Sequence, residues 1–197
     1  MSEFITIDTA EAVVKKSVET FEPLPLYDDS LPLLKKVMPE YTGTFPNPEL
    51  TLLAKRLAVT RRKFGGIGLS ANQCNIEARM FVIGTDDFEM VCINPEVTWQ
   101  SPDEANDKEG CLSFPGMALR VKRPFTIAVK YQDLDGNVVE QTLDGITARC
   151  YLHELDHMNG VVFTDRVGKT AMMMAKKKKE KLDKKFGRMI TRNMMRA

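Results

Sequence analysis

The sequence predicts an α+β fold, with antiparallel β-sheets around a central helix and a basic helix at the C-terminus. Three observations lead there. Residues 80–143 hold short apolar runs broken by Asp and Gly turn signals, the mark of hairpins. Apolar residues recur at helical steps before and after that stretch. The 197-residue chain is 43% hydrophobic and 28% charged, the make-up of a globular protein that buries a core without disulfides.

The elements follow in chain order. Glu11 to Phe21 is weakly amphipathic and reads as a short helix. Six of the ten prolines fall between Pro23 and Pro48, which predicts an extended, turn-rich arm. Asn47-Pro48-Glu49 is a helix start: a capping side chain, a proline whose missing N–H costs nothing, and an acid against the helix dipole. Leu50, Leu53, Ala54, Leu57 and Phe64 extend that helix to about Lys63, and Gly65-Gly66 stops it. Met80–Gly84 and Met90–Ile93 read as paired strands either side of Asp86-Asp87. Ser101–Glu109 is polar and reads as a loop. Thr126–Tyr131 and Val138–Leu143 flank Asp133-Leu134-Asp135-Gly136, a hairpin signal. Asp144 is placed to cap a helix from Gly145 to Met158, with Asn159-Gly160 as its stop. A last helix, rich in Lys and Met, starts near Thr170.

Charge is unevenly shared. The net charge is +1, yet Gly168–Ala197 carries eleven Lys or Arg against two acids, and the first 167 residues sum to −8. Membrane spanning is excluded, because no apolar run nears the ~20 residues a bilayer needs. The N-terminus shows no charged-then-apolar leader, and the four cysteines are scattered, so a reducing, cytoplasmic setting is expected.

The histidine count carries the chemistry. Both histidines of the chain lie in His153-Glu154-Leu155-Asp156-His157. On a helix, positions i and i+4 differ by ~400°, so both imidazoles leave one face a turn apart, as a divalent metal requires. Glu154 stands beside them, where it can act on a bound water. The central helix of the predicted fold is then a metal-binding helix. A catalytic site usually takes a third protein ligand and leaves one position open. The HExxHxxGxxH pattern fails, since Phe163 occupies the third histidine position. A downstream glutamate is the alternative of an HExxH-type metallopeptidase, and Glu180 has the best spacing, within a run that also reads as a solvated helix. Cys111, in Glu109-Gly110-Cys111-Leu112-Ser113, would complete a Cys, His, His set suited to Zn²⁺, Fe²⁺, Co²⁺ or Ni²⁺ rather than Mg²⁺ or Ca²⁺. Cys74, Cys92 and Cys150 are its rivals, Cys150 on the same helix with a plainer reading as core. The segment Gly65-Gly66-Ile67-Gly68-Leu69-Ser70-Ala71-Asn72-Gln73 follows a helix and lacks a Lys-Ser/Thr pair, which excludes a phosphate loop. Its glycines suit close approach of an extended peptide, and Gln73 offers a neutral amide donor.

Three segments together, Gly66-Ile67-Gly68-Leu69-Ser70-Ala71-x-Gln73, Glu109-Gly110-Cys111-Leu112-Ser113 and His153-Glu154-x-Asp156-His157, resemble the motifs of peptide deformylases, in that family's order. The similarity runs through roughly residues 65–166. It implies hydrolysis of the N-formyl group from the initiator methionine of new polypeptides, releasing formate. It implies one divalent ion on Cys111, His153 and His157, typically Fe²⁺, with Zn²⁺, Ni²⁺ or Co²⁺ able to replace it. Glu154 would be the general base and then the general acid. Gln73 and the backbone N–H of Leu112 would stabilise the oxyanion, and Ile67, Gly68 and Gly110 would line the peptide cleft.

The sequence departs from the family at Ser70, where alanine is usual, and at Gly65. Asp107 and Arg149 stand where relatives often have apolar groups near the methionine pocket. Arg123 matches a position usually basic in the family and is expected to pair with Asp156. Residues 1–47 are expected to form an arm on or near the body, 48–167 the catalytic part, and 168–197 the basic helix. That helix is either a surface helix packed back through Met172, Met173, Leu182, Phe186, Met189 and Ile190, or a ribosome- and rRNA-binding element. A monomer is expected.

Overall fold

Asn47 opens the first helix in the way its sequence predicts. Its side chain accepts the Glu49 N–H at 2.8 Å, and α1 runs Pro48–Lys63 before Gly65, at φ +69°, turns the chain away. The computed structural model describes residues 21–85 and 88–194, with side chains as far as Lys185. The Glu11–Thr20 part of the first expected helix and the Asp86-Asp87 turn lie outside the described residues.

Among the described residues, β1 (Gly68–Ser70), β2 (Met80–Gly84), β3 (Glu89–Gln100), β6 (Thr126–Gln132) and β7 (Val138–Asp144) form one antiparallel sheet in the order β1-β2-β3-β6-β7. Strand β2 is buried at every position because α1 covers it on one side and the helix α2 (Gly145–Met158) on the other. A strand covered on both faces reads as an unbroken apolar run, as Met80-Phe81-Val82-Ile83 does. The β6–β7 hairpin forms at the predicted place. Asp133 Oδ1 accepts the N–H groups of Asp135 and Asn137, each at 2.9 Å, and closes the turn.

Two expectations fail here. The segment read as a loop holds β4 (Glu104–Gly110), paired along its length with β5 (Ala118–Pro124). The ribbon has two strands, so most of β4 faces water, and a polar strand of that kind carries no alternation to detect. Asp144 stands at the N-cap of α2 but makes no capping bond with its side chain. It is still paired in β7 opposite Thr126 and is exposed, while Gly145, at φ +51°, sends its N–H to the Phe125 carbonyl instead. The glycine-rich turn is also more ordered than predicted, since it includes β1 and a 3-10 turn over Ala71–Cys74.

Helix α2 is the pivot of the packing. One side meets the five-stranded sheet in a cluster of Phe81, Ile83, Cys92, Ile127, Val129, Tyr151 and Met158, with Phe81 and Tyr151 edge to face at 5.1 Å. The ribbon lies against its other side. A second cluster of Leu34, Phe114, Leu119, Val121, Val162 and Phe163 lies at the ribbon and receives Met172 and Ala175 from α3 (Lys169–Met194). Met173 is 52% exposed, so it does not pack back as expected, and the side chains of Phe186, Met189 and Ile190 lie outside those described.

The proline-rich arm is extended apart from a 3-10 turn at Pro32–Lys35. It is bound to the body: Leu24, Leu34 and Met38 are buried, and the Met38 N–H bonds the Met158 carbonyl at the end of α2 (2.8 Å). Lys35 Nζ reaches Asp165 Oδ2 at 2.6 Å, and the same oxygen accepts the Val162 N–H at 3.0 Å. Burial raises the Asp165 pKa, but those bonds outweigh it and lower it below 3.8. A lowered folded pKa stabilises above the unfolded value, and the increment fades as pH falls through the folded one. Asp165→Ala is expected to cost roughly 1 kcal/mol in urea unfolding at pH 7, and less as pH falls through the lowered folded pKa of the carboxyl group.

Candidate metal centre

Helix α2 brings His153 and Glu154 to the floor of a cleft, with His157 fully buried one turn on, and the ribbon brings Cys111 to them. Gly110 ends β4 and Cys111 follows it directly. Among the described residues, Cys111, His153 and His157 form the group placed to hold a metal ion, with ligand atoms all within 4.8 Å of one another. With metal–sulfur and metal–nitrogen bonds of about 2.3 and 2.1 Å, tetrahedral ligand atoms sit about 3.4–3.6 Å apart. Cys111 Sγ is 3.4 Å from His157 Nε2, and the two imidazole rings are 5.1 Å apart at 78°. The residues fit a divalent ion, in a soft N2S set with room for a further ligand from the cleft.

The rival ligands are elsewhere. Cys74 and Cys92 are in the core, and Cys150 is buried beside the cleft, its thiol pushed well above the usual range by burial. Glu180 is exposed on α3, in a shallow groove with Thr164 and Lys176.

Around the ligands lies a buried ionic network. Glu109, on β4, faces His153 Nδ1 at 3.2 Å, which leaves Nε2 of that ring for the ion. Arg123 holds the Glu109 carboxylate with two bonds, Nε at 2.7 Å and Nη2 at 2.9 Å, and Arg149 Nη1 adds a third at 2.6 Å. Arg123 Nη1 also reaches Asp156 at 2.9 Å, the predicted pair, and Arg166 holds Asp156 from the far side. Burial raises the Glu109 pKa, but bonds from His153 and Arg123 outweigh it and bring it down to about 2. Sequence reasoning did not find Glu109, Arg149 or Arg166 as partners. The one available signal was that charged side chains on an inward face need counter-charges.

Glu154 has the opposite setting. It is 3% exposed, its Oε2 has no hydrogen-bond partner, and burial raises its pKa to about 7. A carboxyl group balanced near neutrality can both take and give a proton. Gly68 packs directly on it: a Cβ there would run into Glu154 Oε1 and lie 2.7 Å from Cys150 Sγ.

The cleft, about 560 Å³, is lined by the remaining expected residues, Ile67, Gly68, Gln73, Gly110 and Leu112, with Leu26 and Ile146 as further apolar wall. Gln73 Nε2 lies 3.4 Å from Cys111 Sγ and 3.2 Å from Ser113 Oγ, a partner the sequence did not reveal. Arg149 lines the cleft, but its guanidinium is taken up by Glu109 and by the Val121 and Ala105 carbonyls. Asp107 is 66% exposed and is not part of the lining.

The family model described as Polypeptide deformylase matches residues 23–173. The chain belongs to that family. The deformylase of Thermotoga petrophila is 36% identical over 147 residues, 75% of this chain and 88% of that one. Peptide deformylase 2 of Gloeobacter violaceus is 40% identical over 126 residues, 61% and 67% of the two chains. Among solved structures, the Thermotoga maritima deformylase superposes with TM-score 0.71 at 34% identity, covering 75% of this chain and 99% of that one. The Synechococcus elongatus deformylase, solved in complex with actinonin, superposes with TM-score 0.75 at 34% identity, covering 89% and 95%. Membership makes the chain a metal-dependent hydrolase, and the metallopeptidase alternative is not favoured. Among the described residues no helix is long and apolar enough to cross a membrane.

In this deformylase site Glu109 fixes both the His153 ring and the two arginines. Glu109→Gln is expected to weaken metal binding roughly 10–100-fold, read by competition with a chromophoric chelator. Unfolding of the same variant is expected to show a loss of about 3–5 kcal/mol.

Proposed function

We propose that the chain removes the N-formyl group from the initiator methionine of newly made polypeptides, releasing formate. The observation that carries the reading is the Cys111, His153, His157 donor set, reached from the cleft at Cys111 and His153, beside a buried glutamic acid of pKa about 7. Ferrous iron is the proposed native ion, with Zn²⁺, Ni²⁺ or Co²⁺ as substitutes on the same soft donors. Held there, the ion supplies Lewis acidity, which brings the ionisation of water down to near neutral pH.

The chain's own groups do the rest. Glu154 takes the proton of the attacking water as its oxygen bonds to the formyl carbon. Negative charge then develops on the formyl oxygen, and Gln73 Nε2 and the Leu112 N–H donate to it. One such donor is worth about 2.7–4 kcal/mol to the transition state. Glu154 next delivers its proton to the amide nitrogen, the C–N bond breaks, and the products are formate and a free methionyl amine. Ile67, Gly68 and Gly110 bind the extended peptide, and Leu26 and Ile146 supply apolar wall near its side chains. This reading assigns catalysis to residues 48–167, with 1–47 as an arm against them and 168–197 as a basic appendage. It places a monomer in the cytoplasm.

Glu154→Ala is expected to keep metal stoichiometry near that of the parent protein while formate release from formyl-Met-Ala-Ser falls by at least 100-fold. Anaerobic metal analysis and a formate assay read the two separately. Substantial turnover by this variant would remove Glu154 from its role.

The partner proposed for α3 is ribosomal RNA. Lys176, Lys177, Lys178, Lys181, Lys184 and Lys185 are exposed along it, which supports contact with phosphates. Co-sedimentation with ribosomes is expected to weaken as salt is raised, and to be lost at low salt when residues 176–197 are deleted. Unchanged co-sedimentation of the deleted protein would exclude the helix as the contact.

A further inference from the structure

Ser70 and Asn72 lie in the first motif, and the proposed mechanism uses neither side chain. Both are 0% exposed. A buried hydroxyl and a buried amide are costly unless their bonds are made, so where those bonds go is informative. Ser70 Oγ is 2.9 Å from Gln73 Oε1 and 2.9 Å from Asn72 Oδ1. The Ser70 N–H also donates to Gln73 Oε1 at 3.0 Å. On its other side, Asn72 Nδ2 donates to the His157 carbonyl at 2.8 Å. A continuous chain of hydrogen bonds therefore runs from the Gln73 amide through Ser70 and Asn72 to the backbone of a residue in the metal-binding group.

The donors and acceptors leave little freedom in that chain. A serine hydroxyl has one proton, and the Asn72 and Gln73 amide oxygens compete for it with the Glu154 carboxyl group, which also faces Ser70. Each amide must then present its oxygen to Ser70 and its NH₂ away. For Asn72 the NH₂ meets His157. For Gln73 it meets Cys111 Sγ and Ser113 Oγ at the cleft. A reversed Gln73 amide would set its NH₂ against the Ser70 N–H, donor against donor. With alanine at position 70, the residue usual in the resembling family, Gln73 Oε1 would keep only the backbone donor and Asn72 Oδ1 would lose the hydroxyl.

We propose that Ser70 and Asn72 are positioning residues, a brace that holds the Gln73 amide, NH₂ toward the cleft, at a set distance from the metal-binding group through the His157 carbonyl. The proposal rests on the reading of Gln73 as an oxyanion donor. Ser70 also faces the Glu154 carboxyl group. A brace acting through the Gln73 amide differs from a packing role or an effect through Glu154 in that its loss disappears once Gln73 is gone.

The test is a double-mutant cycle on formate release from formyl-Met-Ala-Ser, with metal content matched across the variants. Ser70→Ala is expected to lower kcat about fivefold, the worth of one neutral hydrogen bond, with KM unchanged. In a Gln73→Ala background the same change is expected to produce no further loss. An equal loss in both backgrounds overturns the proposal, because Ser70 would then act by another route. So does a Ser70→Ala variant with the parent kcat. If Gln73→Ala itself retains the parent kcat, the oxyanion reading fails and the brace falls with it, an outcome distinct from the other two. Should Ser70→Ala fold poorly because Asn72 Oδ1 loses its donor, the Ser70→Ala/Asn72→Ala pair removes both partners. That pair is expected to repeat the kcat loss and its disappearance in the Gln73→Ala background.

Discussion

Glu109 lies 6% exposed between the guanidinium groups of Arg123 and Arg149 and the imidazole of His153, and an ionised carboxylate is tolerable there only because both of its oxygens are bonded. Taking such charges out of water is expensive, and a paired set of this kind adds little net stability over an apolar core. What it adds is geometry. Glu109 stands on β4, Arg123 on β5, and Arg149, His153 and Asp156 on α2, so the network fastens both strands of the ribbon to the helix that carries the two histidines. Cys111 is two residues beyond Glu109. Its arrival at the histidines follows from where the Glu109 carboxylate is held.

Two buried carboxyl groups on this floor are driven in opposite directions. Burial raises the pKa of both. Glu109 meets enough donors to end near 2, whereas Glu154, with Oε2 unpartnered, ends near 7. The difference is one of neighbours rather than of residue type, and it divides the labour. One group stays charged and holds the structure together, and the other is free to exchange a proton. Gly68 belongs to the same arrangement, since any side chain there would collide with Glu154. The glycine leaves room for the carboxyl group.

The arm and α3 show how polar sequence conceals packing. Residues 21–47 have almost no regular structure, yet Leu24, Leu34 and Met38 are buried with the core. Extended chain burying isolated side chains has no period to read. The strand β4 was missed for a related reason, because a two-stranded ribbon leaves most of its residues in water and only Glu109 among them is buried. Asp144 was a reasonable cap by residue type, but its place in the β7 ladder left its side chain in solvent.

The sequence by itself determined what is local. The start and stop of α1, the β6–β7 turn, the span of α2 and the two histidines with a glutamate between them were all legible. Each depends on residues within a few positions of one another, where spacing and turn chemistry decide. The residues alone left Cys74, Cys92 and Cys150 as rivals of Cys111, which the family resemblance singled out. The tertiary structure decided what is distant, namely Cys111 beside the two histidines, Glu109 with its three partners, and the orientation of the Gln73 amide. Cys111 and His157 are 46 positions apart and Arg149 and Glu109 are 40. Across such separations residue types show which groups can pair, but only the packing of the ribbon on α2 determines which of them meet.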